Sequence, residues 1–178
     1  MKKLFFLCTF LISSILPAQS AVSKGTYTIG GNINYSSTSN SSSTFTANPS
    51  FGYFIIDNFY TAVSLSYEHS SYSNTKFDMY GFGPSIRYYA HTDGVVPFLG
   101  ASFNYLWEKY STVGYDKITV TQLKFAGGLS YFVTEYFAVE STINYSFMNY
   151  NYPPGLYIGV SKDAAQFEIG VGASYYIH

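Results

Sequence analysis

The chain has 178 residues, a formal net charge of −1, 21% aromatic residues with twenty tyrosines among them, and only 11% charged residues. An ordinary soluble domain carries roughly 25% charge, so this chain is too poor in charge to keep a water-exposed surface from associating, and it lacks the basic excess that nucleic acid requires. Beyond residue 20 no stretch stays apolar for 18 residues, which excludes a membrane-spanning helix as well.

The amino terminus predicts export. Lys2 and Lys3 precede an apolar run from Leu4 to Leu16, and Pro17-Ala18-Gln19-Ser20-Ala21 supplies the small residues of a cleavage site. The run of about 13 residues is short of the roughly 20 that a spanning helix needs. Residues 1–20 are therefore expected to be a signal peptide and residues 21–178 one domain. Loss of Lys2 and Lys3 would take the charge from −1 to −3. Cys8 is the only cysteine and lies inside this leader, so the mature chain is expected to have no disulfide, cysteine nucleophile or cysteine-based metal site.

After the leader, large apolar and small polar residues alternate with period two, the mark of strands. Eight are expected, centred on 26–36, 44–56, 59–69, 78–90, 97–109, 119–133, 137–148 and 165–177. The breaks at Asp57-Asn58, Ala90 to Val95 (with the hairpin signal Asp93-Gly94) and Thr134-Glu135-Tyr136 are short. Those at Ser36 to Ser43, Ser70 to Phe77, Tyr110 to Ile118 and Asn149 to Ala164 are longer and rich in Ser, Asn and Tyr. Short turns on one side and long loops on the other fit an outer-membrane barrel with periplasmic turns and extracellular loops, and an even strand count puts both termini in the periplasm. Pro49 and Pro84 are awkward inside strands, since proline removes a ladder donor.

One face of these strands is apolar and ends in aromatic residues. Tyr27/Tyr35, Phe45/Tyr53, Phe59/Tyr67, Tyr80/Tyr88, Phe137/Tyr145 and Phe167/Tyr175 are spaced eight apart, as are Leu99/Trp107 and Leu123/Tyr131. Eight residues of strand rise about 26 Å, or roughly 20 Å along the normal at a tilt of about 40°, close to the apolar band of such barrels. None of the positions that these pairs enclose on that face is charged, among them Ile33, Val63, Phe103, Ile143 and Val171. The pairs are expected to form two aromatic girdles in contact with outer-membrane lipid.

The other face carries Thr28, Gly30, Asn32, Asn34, Ser64, Ser66, Gly170, Gly172 and Ser174 and others of their kind. A soluble lipocalin-type barrel would turn this face to water, whereas an eight-stranded membrane barrel turns it inward, where the lumen has room only for side chains. Four charged residues fall on this face within the span: Arg87, Lys124, Glu140 and Glu168. Two of each sign imply a lumen ion-pair network, since unpaired charges there would be costly. Phe54, Tyr60, Tyr89, Phe98, Phe132 and Tyr176 share this face at the periplasmic end and are expected to plug it.

The stretches "NPSFGYFIIDNFYTAVSLSYEH", "GFGPSIRYYAHTDGVVPFLGASFNY", "GGLSYFVTEYFAVESTINYSF" and "FEIGVGASYYIH" resemble the small eight-stranded outer-membrane β-barrels of the OmpA/OmpX-like superfamily. The resemblance covers most of residues 25 to 177. It implies an all-β antiparallel up-and-down transmembrane barrel in the outer membrane of a Gram-negative cell, assembled by the barrel-assembly machinery through its C-terminal strand. In such a family that strand usually ends in an aromatic residue, whereas here His178 follows Ile177 by one.

For activity the sequence offers little. Three scattered histidines, His69, His91 and His178, have no metal-site spacing. "GFGPSI" lies within a strand and lacks the helix that a phosphate loop needs. His69 beside Glu68 and Ser70, at the outer rim, is the best catalytic candidate, and no cofactor is implied. The expected function is non-enzymatic: a filled barrel in the envelope whose Tyr/Ser/Asn-rich loops are available for adhesion or binding to a host or neighbouring cell. The alternatives are a narrow porin-like channel or transporter of small apolar solutes and, third, a surface lipid-modifying enzyme.

Overall fold

The computed structural model describes residues 22–38, 42–72, 75–90, 94–110, 118–152 and 162–178. The leader with Cys8, as well as His91 and Asp93, lies outside the described residues. Eight strands follow one another: β1 (Tyr27–Thr38), β2 (Ser42–Ile56), β3 (Phe59–Tyr72), β4 (Thr75–Tyr89), β5 (Val95–Tyr110), β6 (Ile118–Thr134), β7 (Phe137–Asn151) and β8 (Asp163–Ile177). Each pairs antiparallel with the next, and β8 returns to β1 to close the barrel.

The strands are where alternation places them, but they run further toward the long loops. Ser36 to Thr38, Ser42 and Ser43, Ser70 to Tyr72, Thr75 to Phe77, Tyr110, Asn149 to Asn151, and Asp163 and Ala164 were expected in loops and belong to strands. These stretches are largely polar in sequence, so the apolar–polar contrast fades while backbone pairing continues, as in Ser71↔Lys76 and Tyr72↔Thr75.

The two prolines fit because each faces a gap in a ladder. Pro49 pairs with Gly31 on its β1 side, while toward β3 the ladder jumps from Ala47↔Tyr67 to Ser50↔Ser64. Pro84 pairs with Val63, and toward β5 the ladder jumps from Phe82↔Tyr105 to Ser85↔Ser102. A residue without N–H belongs at such points. Two turns also repeat one device. The register shifts between Phe54 and Ile56 before Asn58 (φ 65°), and again between Phe132 and Thr134 before the next hairpin. The bulge adds local twist, and Asn tolerates the left-handed turn position.

The registers fix the barrel's shape. A path across the sheet from Tyr27 through Tyr53, Thr61, Ile86, Ala101, Phe125 and Tyr145 reaches Phe167. In the register set by Tyr27↔Ile177, Phe167 stands level with Ser37, ten residues from the start. Eight strands with that stagger tilt by about 40° and leave an interior just wide enough for side chains.

Candidate functional site

At the end of the lumen bearing the short turns, Phe54, Tyr60, Tyr89, Phe98, Phe132 and Tyr176 are all buried in one cluster with Val22, Ala62, Val96 and Ala138. Their rings interlock: Phe54 lies 5.2 Å from Tyr60 and 5.5 Å from Tyr89, Tyr89 5.4 Å from Phe98, and Phe132 5.0 Å from Tyr176. Residues 22–26 cross beneath them. Asn58 N donates to Val22 O (2.8 Å), Gly25 N to Phe54 O (3.0 Å), and Thr26 Oγ1 meets His178 Nδ1 (3.0 Å). Strand alternation does not announce this bar, whose one signal in the sequence is an apolar Val22 just outside the first strand.

Directly above this plate, Arg87 Nη1 donates to Glu140 Oε2 at 2.9 Å. Ser130 and Ser174 hydroxyls each donate to Glu140 Oε1 at 3.2 Å. The guanidinium carbon sits 4.7 Å from the Phe98 ring centre and 6.0 Å from that of Tyr60, so ring faces cover the side that the carboxylate leaves open. Further toward the loops, Lys124 Nζ lies 3.7 Å from Glu168 Oε2, while Gln166 donates to Glu168 Oε1 at 3.2 Å. The four inward charges therefore stand as two ion pairs at two levels.

Beyond them the lumen turns acidic. Glu108 is buried, and Glu68 lines the same small cavity as Lys124 and Glu168. Both share the inward parity of Ser66 and Leu106 and lie one residue past the girdle residues Tyr67 and Trp107, outside the span in which the four inward charges were expected. A second apolar plate, also unforeseen, closes the loop end: Met79, Leu106, Ile118, Val120 and Met148, capped by Tyr150 and Tyr152 stacked at 6.2 Å. Between the plates lie a polar cavity of about 70 Å³ bordered by Asn32, Asn48, Ser64, Ser102 and Asn144 and a smaller one of about 20 Å³. At the ~10–15 Å³ that one water needs, the first suits a few waters and the second about one.

The outer face is the inverse of the lumen. Ile33, Val63, Leu99 and Ile169 are 57–72% exposed while the Ser, Thr and Asn residues beside them point inward. The girdle residues meet across strands as Tyr27↔Tyr53, Phe59↔Tyr88 and Phe137↔Tyr175 at the turn end, and as Tyr35↔Phe45, Tyr67↔Tyr80, Tyr80↔Trp107 and Tyr145↔Phe167 at the loop end. Tyr131 joins the first row opposite Val139. Ring centres 4.7 Å apart for Tyr27 and Tyr53 and 5.2 Å for Tyr67 and Tyr80 make the rows contiguous belts. A bulky apolar exterior of this extent has hydrocarbon as its natural solvent, where a closed barrel leaves no backbone group unpaired at an edge.

A sequence model described as the outer membrane protein beta-barrel domain matches residues 6–177. The chain belongs to that family. Among solved structures it is similar to Neisserial surface protein A (NspA), at 22% identity and a TM-score of 0.64, over 84% of this chain and 94% of that one. It is also similar to the N-terminal β-barrel domain of Pseudomonas aeruginosa OprF, at 15% identity and a TM-score of 0.56, over 86% and 98% of the two chains. Likeness at these identities speaks for the fold alone. Comparison with curated protein sequences gives no match. The protein is thus an outer-membrane β-barrel of the bacterial envelope.

On this outer-membrane barrel the histidine singled out from sequence has different neighbours from those expected. Alternation sends His69 to the outer face and Glu68 and Ser70 to the inner one. Ser70 Oγ meets Thr44 Oγ1 at 2.9 Å and donates to Glu68 Oε1 at 3.2 Å, across the wall from His69. His69 Nδ1 instead lies 2.7 Å from Asp78 Oδ1 on β4, and Tyr67 Oη donates to the same oxygen at 3.2 Å. The cluster ties β3 to β4 just above the girdle. Among the described residues no group of three or more His, Cys, Asp or Glu side chains is placed to hold a metal ion.

Proposed function

We propose that the protein is a non-conducting envelope barrel that carries its four long loops outside the cell for contact with a host, a neighbouring cell or a ligand. The turn end, both termini and the Phe54–Tyr176 plate face the periplasm in this reading, and the C-terminal strand engages the barrel-assembly machinery. The observation that supports it most is double closure: an apolar plate at each end of the lumen, with charged side chains paired between them. An ion would have to cross two dry constrictions and compete with a buried salt bridge, which costs several kcal/mol at each step.

The test is conductance in planar bilayers. Purified wild-type protein is expected to give no sustained steps above the lipid baseline, and Arg87→Ala or Glu140→Ala none either, because the plates remain. A steady wild-type current would overturn the reading in favour of a narrow channel. Replacing residues 111–117 or 153–161 with a short Gly-Ser linker is expected to abolish adherence of cells that display the barrel, with its surface level unchanged.

A further inference from the structure

The outer rim of β2, β3 and β4 carries a set of side chains that closure of the lumen does not use. Alternation puts His69 and Ser71 on the same outward face of β3, two residues and about 6.6 Å apart. The ladders set two rows across the three strands. The lower row is Phe45↔His69↔Asp78, and the upper is Ser43↔Ser71↔Lys76. A histidine, a serine and an aspartate thus adjoin on one patch of wall, although the aspartate comes from the next strand.

Within this patch His69 is held as a general base is held. Its Nδ1 lies 2.7 Å from Asp78 Oδ1, which also accepts from Tyr67 Oη at 3.2 Å. A carboxylate accepts, so Nδ1 carries the proton and the lone pair is left on Nε2. The imidazole is 41% exposed, open to a molecule lying against the wall. Ser71 is the hydroxyl one step nearer the loops, across a gap that an imidazole and a hydroxymethyl group span when they lean together. Backbone N–H groups of β3 are held in its two ladders. Donors for an oxyanion beside Ser71 are therefore side chains, the Ser43 hydroxyl on one flank and the exposed Lys76 ammonium on the other.

Depth selects the substrate. His69 lies two residues beyond the girdle residue Tyr67, about 5 Å along the membrane normal, where the hydrocarbon of a lipid gives way to its head. Just below, Phe45, Leu65 and Phe82 are 40–60% exposed and offer an apolar track for a chain. We propose that Ser71, His69 and Asp78 form an esterase site on the outer wall, which hydrolyses a carboxylic ester of an outer-leaflet lipid. Ser71 Oγ attacks the ester carbonyl carbon while its proton passes to His69 Nε2. The carbon–oxygen bond to the alcohol then breaks, and His69 returns the proton to the departing oxygen. Water, deprotonated by the same nitrogen, displaces Ser71 from the acyl group and releases the carboxylic acid. Asp78 and Tyr67 position the ring, and Asp78 stays a carboxylate throughout.

The folded protein in phosphatidylcholine vesicles is treated with a long-chain alkyl fluorophosphonate, which captures a nucleophilic serine with loss of fluoride, and the modified residue is located by mass spectrometry. Ser71 is expected to carry the label, and boiled protein none. p-Nitrophenyl decanoate added to the same vesicles should be hydrolysed by the wild type and not by Ser71→Ala. His69→Ala should slow both labelling and turnover about 100-fold or more, the usual worth of a general base. Asp78→Asn should lower kcat at least about tenfold with KM unchanged, a split that a role confined to tying β3 to β4 would not give, and Asp78→Glu should recover most of it. Ser70→Ala, on the lumen side of the same strand, should leave labelling as it is. Unboiled mobility verifies that each variant is a folded barrel. No label on the wild-type barrel, a label on a serine other than Ser71, or an unchanged rate in folded His69→Ala would each overturn the site.

Discussion

Arg87→Ala is expected to be the most destabilising single truncation in the lumen, lowering unfolding stability by about 3–5 kcal/mol, as removal of one member of a buried ion pair does. The loss has two sources. Glu140, 4% exposed, would keep only the Ser130 and Ser174 hydroxyls at 3.2 Å for a full negative charge. The Phe98 and Tyr60 rings would also lose the cation that lies over them, worth about 1 kcal/mol. Glu140→Gln, which retains shape and hydrogen bonding, should cost less. Arg87→Met combined with Glu140→Leu should recover most of the loss, because an apolar pair suits a site floored by Phe54, Tyr89 and Phe98. Urea titration in lipid vesicles, followed by the heat-dependent shift in electrophoretic mobility, measures this. An Arg87→Ala variant within about 1 kcal/mol of wild type would mean that the pair sits in enough water to be screened.

Much of this arrangement was legible because a membrane barrel writes one alternation into every strand. Ile33, Val63 and Val171 declare the outer face, and Asn32, Ser64 and Gly170 the inner one, whichever strands they pair with. The level of each girdle follows from the eight-residue spacing, since rise per residue is fixed. Arg87 and Glu140 could be matched because both lie about three residues from a short turn, which anchors their height.

What alternation cannot supply is anything set by register between strands distant in sequence. The loop-end plate assembles Met79, Leu106, Ile118, Val120 and Met148 from four strands, three of them giving one apolar residue each and β6 only the pair Ile118 and Val120, too short a run to announce it. His69 was grouped with Glu68 and Ser70 by adjacency in sequence, which in a strand separates side chains onto opposite faces. Its true neighbour, Asp78, is nine residues away in sequence and directly across the ladder. The register that closes β8 on β1 is the extreme case. It depends on how registers add up around the whole barrel, and no single strand contains that sum.

The identity of the solvent around the barrel is decided by a charge placed at mid-wall. Val63 lies halfway between the girdle residues Phe59 and Tyr67 and is 57% exposed on the outer face. In vesicles, Val63→Arg is expected to cost about 2–4 kcal/mol, the penalty for a cation at the bilayer midplane, whereas His69→Arg, two residues beyond the outer girdle, should cost about 0–1 kcal/mol. The gradient matters more than either value. Arginine at an exposed strand position in water is close to neutral, so if water bathed this face the two variants would differ little and Val63→Arg would improve solubility. Hydrocarbon around the wall requires the opposite: a loss that shrinks steadily as the charge is moved from Val63 toward the rim, read as falling urea midpoints and reduced insertion of the refolding chain into lipid.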